Sequence, residues 1–312
     1  MNLFLSRGCN ERCSFCYAGD FFASATGSRK EEIFSHLATY AKLVERAPPM
    51  PIWDPNVDEL TLTYFASRTV TILGGEPTIH PDFEDVVSEI HRLNLGVTIF
   101  TNGSRPDKIS AVADKIHAIT INGHFAHRAA DLGDPKRIFA NLPVGPSDDI
   151  IELLTTIHNA GIRSVVLAFT TPVGGTKAEV FTPEDQNAMR RLHQAALAFC
   201  QDHEIFLGYD CSFPLCVDER VAQTRCSSVP VMDVSGHMTI CGGEYSYDKG
   251  RRHIDTFTSL TELHEYTHGL LSGLRTYPSQ FEICNQCPDF NHKCHGMCLA
   301  FRDRSTPQRA SV

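Results

Sequence analysis

The sequence predicts an α/β fold built on a mostly parallel sheet, followed by a small cysteine-rich segment, and three observations lead there. Short apolar runs alternate with amphipathic stretches from residue 2 to residue 210. The residues with the most chemistry follow the apolar runs, where strands would end. The alternation stops after Asp210, and residues 211 to 301 carry eight cysteines in short turns.

The elements follow in order. NLFLS (2–6) reads as a buried strand entering a cysteine loop, and residues 28–46 show helical periodicity at Ile33, Leu37, Tyr40 and Val44. Strands at 68–75, 96–103 and 117–123 are each followed by a helical segment, at 81–93, 107–115 and 147–161. A strand at 164–171, a helix at 183–203 and a strand at 204–210 close the series. Six strands in this alternation require right-handed crossovers and a parallel sheet, either doubly wound or curved into a partial barrel. In both arrangements ligands bind at the carboxyl ends of the strands. Residues 47–67, with four prolines around Trp53, read as a lid or substrate contact, with a plain surface insertion as the alternative.

Composition narrows the class. A formal net charge of −9 without a Lys/Arg-rich run argues against a duplex nucleic-acid binder, which needs a basic face. MNLFL lacks a basic n-region, and no apolar stretch is long enough to span a bilayer, so a cytoplasmic protein is expected. Twelve cysteines in such a chain point to metal or redox chemistry, because cytosolic thiols stay reduced. Cys200, beside Phe199 on a helix, reads as a small core residue, and His292 and His295 as solvated loop histidines.

Cys9, Cys13 and Cys16, spaced C-x3-C-x2-C with Phe15 before the third thiol, supply three ligands to a centre that normally takes four. This loop resembles the signature of the radical S-adenosylmethionine (SAM) enzymes. The resemblance implies a partial (β/α)6 barrel and a [4Fe–4S] cluster on the three cysteines, with SAM completing the fourth iron. LGGEPT (73–78) matches the family's glycine–glycine–glutamate motif. Gly74, Gly75 and Pro77 would then border the cofactor, and Glu76 would receive the SAM amino group. Thr101 and Asn102 in TNG, and Asn122 in ING, resemble positions that approach the SAM ribose and carboxylate.

The segment after residue 210 resembles a SPASM-type domain for auxiliary clusters, which implies domains at 1–210 and 211–312. Cys226-x9-Gly236-x4-Cys241 fits the first part of that pattern. Cys284-x2-Cys287-x6-Cys294-x3-Cys298 fits the second with one extra residue, and no cysteine follows. By the resemblance Cys216, Cys226, Cys241 and Cys298 hold one auxiliary [4Fe–4S] cluster. Cys284, Cys287 and Cys294 hold another, with Cys211 in place of the missing fourth ligand, unless that iron is open or only a single cluster is present.

The resemblance implies a 5′-deoxyadenosyl radical that attacks an unactivated C–H position. A ribosomally made peptide is the expected substrate, and a small natural-product intermediate is the alternative. Asp210 or Glu244 would serve as acid or base, since Gly242 stands where sulfatase-maturating relatives carry an aspartate. A flavodoxin or ferredoxin would supply electrons, and a leader-binding protein would be a separate chain. Neither nucleic acid nor membrane is an expected partner. The non-catalytic alternatives are an iron–sulfur electron carrier, which has no use for Glu76, and a zinc-binding module.

Overall fold

The structure is a computed structural model that describes residues 1–16, 29–45, 68–171, 177–210, 213–219, 229–241 and 251–303. Trp53 and its proline-rich stretch, Cys211, Cys226 and Glu244 lie outside the described residues. The chain divides into two compact units, Met1–Glu11, Phe21–Thr120 and Ser228–Leu270 in the first, and Arg12–Asp20, Ile121–Ser227 and Leu271–Val312 in the second.

In the first unit β1 (Asn2–Ser6), β2 (Thr69–Gly74) and β3 (Gly96–Thr101) run parallel, with Asn2 opposite Thr71 and Thr71 opposite Thr98. β1 is buried along nearly its whole length, as strands covered on both faces are. Its other edge pairs in parallel with β8 (Val231–Met232), which continues antiparallel into β9 (His237–Thr239) and β10 (Arg252–His253). Helix α1 (Lys30–Glu45) buries Ile33, Leu37, Tyr40 and Val44, and α2 (Phe83–Arg92) buries Phe83, Val86, Val87 and Ile90. Both sets follow the three-and-four spacing of one helical face. Glu31 and Glu32 open α1 and Lys42 lies in its last turn, each complementing the helix dipole. The short helix α3 (Pro106–Ser110) follows β3.

In the second unit β5 (Ile138–Val144), β6 (Ser164–Phe169) and β7 (Phe206–Tyr209) are parallel, with Leu142 opposite Leu167 and Leu167 opposite Tyr209. Helix α4 (Ile150–Asn159) starts where the Asp149 carboxylate accepts the amides of Ile151 and Glu152. Helix α5 (Gln186–Asp202) follows a capping box formed by Thr182 and Asp185. Strand β4 (Ala118–Asn122) carries the division between the units. Strand order is β10-β9-β8-β1-β2-β3 in the first unit and β5-β6-β7 in the second, a mostly parallel and unclosed arrangement. No helix among the described residues is long and apolar enough to cross a membrane.

Six strands were expected up to residue 210, and the described residues form seven. The extra one is β5, whose alternating burial at Ile138, Ala140, Leu142 and Val144 is the mark of a strand. Pro143 concealed it, because proline argues against a strand interior on sequence grounds. A second difference lies in the cysteine-rich segment, read as short turns. It holds β8 to β10 and the helix α6 (Leu260–Arg275), in which Leu260, Leu263, Thr267 and Leu271 are buried while Gly269 and Gly273 blur the pattern. Helix α7 (Glu282–Asn285) is a single turn.

Leu142 is fully buried, so Leu142→Ala should lower stability by about 2–5 kcal/mol in equilibrium denaturation. Phe206, 70% exposed on β7, should tolerate Ser within about 0.5 kcal/mol.

Candidate functional site

The cysteine loop leaves β1 at Ser6 and is fixed by backbone before any cofactor is considered. Gly75 N–H donates to Ser6 O at 3.0 Å and Glu76 N–H to Gly8 O at 2.9 Å. Contact this close requires two residues without side chains. A Cβ on Gly75 would lie 1.9 Å from Gly8 O, and one on Gly74 would lie 2.4 Å from Ser6 O. Gly74 also has φ of +146°, which side-chain-bearing residues rarely adopt. The glycine pair thus presses the end of β2 against the start of the loop. Within the loop, Cys9 Sγ accepts from Glu11 N–H at 3.4 Å, and Cys16 N–H donates to Cys13 O at 3.2 Å.

Glu76 is completely buried, and its carboxylate is an internal hub. Oε1 accepts from Thr78 N–H at 3.0 Å, Thr78 Oγ1 at 2.6 Å and Thr101 Oγ1 at 2.9 Å. Oε2 accepts from Asn102 N–H at 2.6 Å. A carboxylate taken out of water needs such donors to offset its desolvation. Asn102 Nδ2 donates to Asn10 Oδ1 at 2.9 Å, and Asn10 Nδ2 donates to Ser104 Oγ at 2.8 Å. Glu76, Thr101, Asn102 and the cysteine loop therefore form one network, while Pro77 opens the buried 3-10 turn after Glu76.

In the second unit Ser14 O accepts from Lys177 and Ala178 N–H at 2.7 and 2.9 Å, which holds the middle of the cysteine loop. Phe15 stacks on His124 with ring centroids 4.4 Å apart. His124 Nε2–H donates to Pro143 O at 2.9 Å, and Asn122 Oδ1 accepts from His124 N–H at 3.0 Å. Asn122 thereby caps the turn after β4 and sets the ring against which Phe15 rests. Asp210 is half-buried just beyond β7, where its N–H donates to Leu167 O at 2.9 Å.

The later cysteines separate. Cys216, Cys284, Cys287 and Cys294 line one cavity of about 960 Å³ in the second unit. Burial pushes the Cys216 and Cys284 thiols up to about 11, and neighbouring thiols add to the shift. Cys298 is buried, and its Sγ accepts from Ala300 N–H at 3.4 Å. Cys241 is half-buried after β9. Cys200 is 1% exposed in the core, its thiol also raised to about 11 by burial. The reading of His295 as a solvated loop residue is corrected, because it is only 8% exposed.

Two groups escaped the sequence reading. His193 is 2% exposed, hydrogen-bonds to Tyr209 Oη at 2.7 Å, and has Asp218 Oδ2 at 3.7 Å from its Nδ1. His36, His237 and His253 meet beside Gly236, with ring centroids 4.8 Å apart for His36 and His253 and 5.3 Å for His237 and His253. Burial lowers the His36 pKa and nearby His253 lowers it further. Neither set has a sequence signature, because its members lie on separate elements.

Among the described residues no three His, Cys, Asp or Glu side chains converge on a point that could hold a single metal ion. The donor set suits a larger group: the sequence places three thiols on one loop, and the start of that loop is clamped by a glycine pair into which no side chain fits. Thiolate donors one short of four, at the carboxyl end of a parallel sheet, suit proteins whose iron–sulfur cluster leaves an iron open for a cofactor. The chain belongs to the Radical SAM superfamily, whose family model matches residues 3–180. That superfamily uses SAM and a [4Fe–4S] cluster. SuiB from Streptococcus suis bound to S-adenosylmethionine is similar in structure, with a TM-score of 0.63 at 15% identity over 97% of this chain and 76% of that one. SuiB bound to the precursor peptide SuiA gives 0.64 at 16% identity, over 97% and 74%. At such identities the likeness establishes the fold. No curated protein matches the chain.

Because all four hydrogen bonds to Glu76 are buried, Glu76→Gln places an amide against donors and should cost about 1–3 kcal/mol of stability in denaturant titration. Thr101→Val should cost less, since it removes only one of the four donors.

Proposed function

We propose that the chain is a radical SAM oxidoreductase or cross-linking enzyme that modifies an unactivated C–H position in a ribosomally made peptide. The observation that supports this reading is the clamp between the start of the cysteine loop and Gly74–Gly75–Glu76, because it fixes by backbone contact the chain that enters the cysteine motif immediately before Cys9. An electron carrier or a zinc module has no need of a strand-end network extending through Asn102 to Asn10.

In this reading Cys9, Cys13 and Cys16 hold a [4Fe–4S] cluster, and cluster and SAM together supply a 5′-deoxyadenosyl radical. The protein contributes position and exclusion of water. Gly75 and Glu76 fix the loop, Phe15 rests on His124, and Thr101, Asn102 and Asn122 shape the strand ends beside the cofactor. Asp210, at the end of β7, and Glu244 are the groups proposed to move a proton. Electrons come from a flavodoxin or ferredoxin, and a leader-binding protein is a separate partner. The precursor peptide bound by SuiB supports the choice of a peptide substrate.

Anaerobically reconstituted protein given SAM and dithionite should form 5′-deoxyadenosine, measured by chromatography, and Cys13→Ala should form none. A candidate precursor peptide should change mass only with the unmodified enzyme. Deoxyadenosine production that survives Cys13→Ala would remove the cysteine loop from the site.

A further inference from the structure

The family pattern assigns Cys298, four residues after Cys294, to the other auxiliary set, which leaves Cys284, Cys287 and Cys294 one ligand short. In the second unit the trio is tightly folded. Cys287 N–H donates to Cys284 O at 3.0 Å, Cys294 N–H to Asp289 O at 3.0 Å, and Gly296 N–H to Cys294 Sγ at 3.4 Å. Gly296 has φ of +68°, and a Cβ there would lie 3.3 Å from Cys284 Sγ, so the glycine lets the segment close over that sulfur. Cys216 arrives from the chain after β7. Its carbonyl is gripped by Arg190 on α5 through Nε at 2.9 Å and Nη2 at 2.7 Å. All four cysteines line one cavity. Cys298 is not among the residues that line this cavity.

Arg302 supplies an independent observation. It is 2% exposed, and its hydrogen bonds go to neutral acceptors, Tyr277 O at 2.7 Å, Asn291 Oδ1 at 2.7 Å and His295 O at 3.1 Å. Its guanidinium lies 4.3 Å from the Phe290 ring centre. Among the described residues no carboxylate comes within ion-pair distance of it. A buried guanidinium without a counter-charge is unfavourable, whereas beside a cluster held by four thiolates, which is anionic overall, it is compensated.

We propose that Cys216, Cys284, Cys287 and Cys294 together hold one [4Fe–4S] cluster, with buried Arg302 as its counter-cation. The proposal rests on the radical SAM reading, and it moves Cys216 out of the ligand set with Cys226, Cys241 and Cys298 that the family pattern implies. A single zinc fits less well. With Zn–S bonds of about 2.3 Å it would draw its thiolates within roughly 4 Å of one another, and no such convergence exists among the described residues.

The test is iron and labile-sulfide content, with electron paramagnetic resonance (EPR), of the anaerobically reconstituted full chain. Cys216→Ala, Cys284→Ala and the double variant should each lose the same about four irons, because one cluster is removed in all three. A double variant that loses about twice as much as either single one would place the two cysteines on different clusters and overturn the proposal. Should the alanine variants fail to fold, Cys216→Ser and Cys287→Ser decide, since serine oxygen can still ligate iron. Both should perturb the same auxiliary EPR signal, and perturbation of different signals would refute the shared site. Wild-type protein without labile sulfide would instead overturn the radical SAM reading itself.

Discussion

The strand-end architecture depends on one buried carboxylate. Glu76 has no exposed surface and no cationic partner among the described residues, and its carboxylate accepts four buried hydrogen bonds. Hydrogen bonds to a charged group contribute about 1.5–3 kcal/mol each, which lets four donors offset a desolvation cost of several kcal/mol. The donors come from the 3-10 turn after β2 and from the end of β3, so satisfying the charge fixes the separation of the two strand ends. The amide of the same residue reaches Gly8 O, which adds the end of β1. One residue therefore ties together three consecutive strand ends in the first unit.

The glycine pair makes that arrangement possible. Backbone hydrogen bonds from Gly75 to Ser6 and from Glu76 to Gly8 require a separation at which any Cβ would overlap a carbonyl oxygen. Their first effect is on the protein itself, for they settle where the cysteine loop begins. In the second unit Ser14 is held by two amides and Phe15 by the His124 ring. Charge balance recurs around the later thiols with the sign reversed. There the buried group is the cation, Arg302, and the proposed compensation is the cluster.

Much of this was legible in the sequence because it is local. The strands at 2–6, 68–75 and 96–103 and the helices at 28–46 and 183–203 announce themselves by burial periodicity that each segment carries alone. The cysteine loop and the glycine–glycine–glutamate motif are likewise short, contiguous patterns. What escaped was non-local or masked by one residue. Pro143 hid β5, although the alternation at Ile138, Ala140, Leu142 and Val144 was present. Strands β8 to β10 are only two or three residues long, and β8, on which the other two build, pairs with β1 across more than 200 positions of sequence. The company Cys216 keeps could not be read from spacing, since the trio it joins lies some 70 residues further on. The carboxylate of Glu76 was expected to face a cofactor amine. Its four internal partners lie on backbone and hydroxyl groups that no motif specifies.

The central claim is that the clamped cysteine loop presents a cluster with an iron open to SAM, and the most direct measurement of it is EPR of the dithionite-reduced protein before and after SAM is added. The signal lost in a Cys9→Ala variant should change its g-values on addition of SAM, since direct ligation alters the electronic environment of the iron. The remaining signals should stay where they were. A spectrum in which the Cys9-dependent signal ignores SAM would contradict the account, whatever the protein's content of iron.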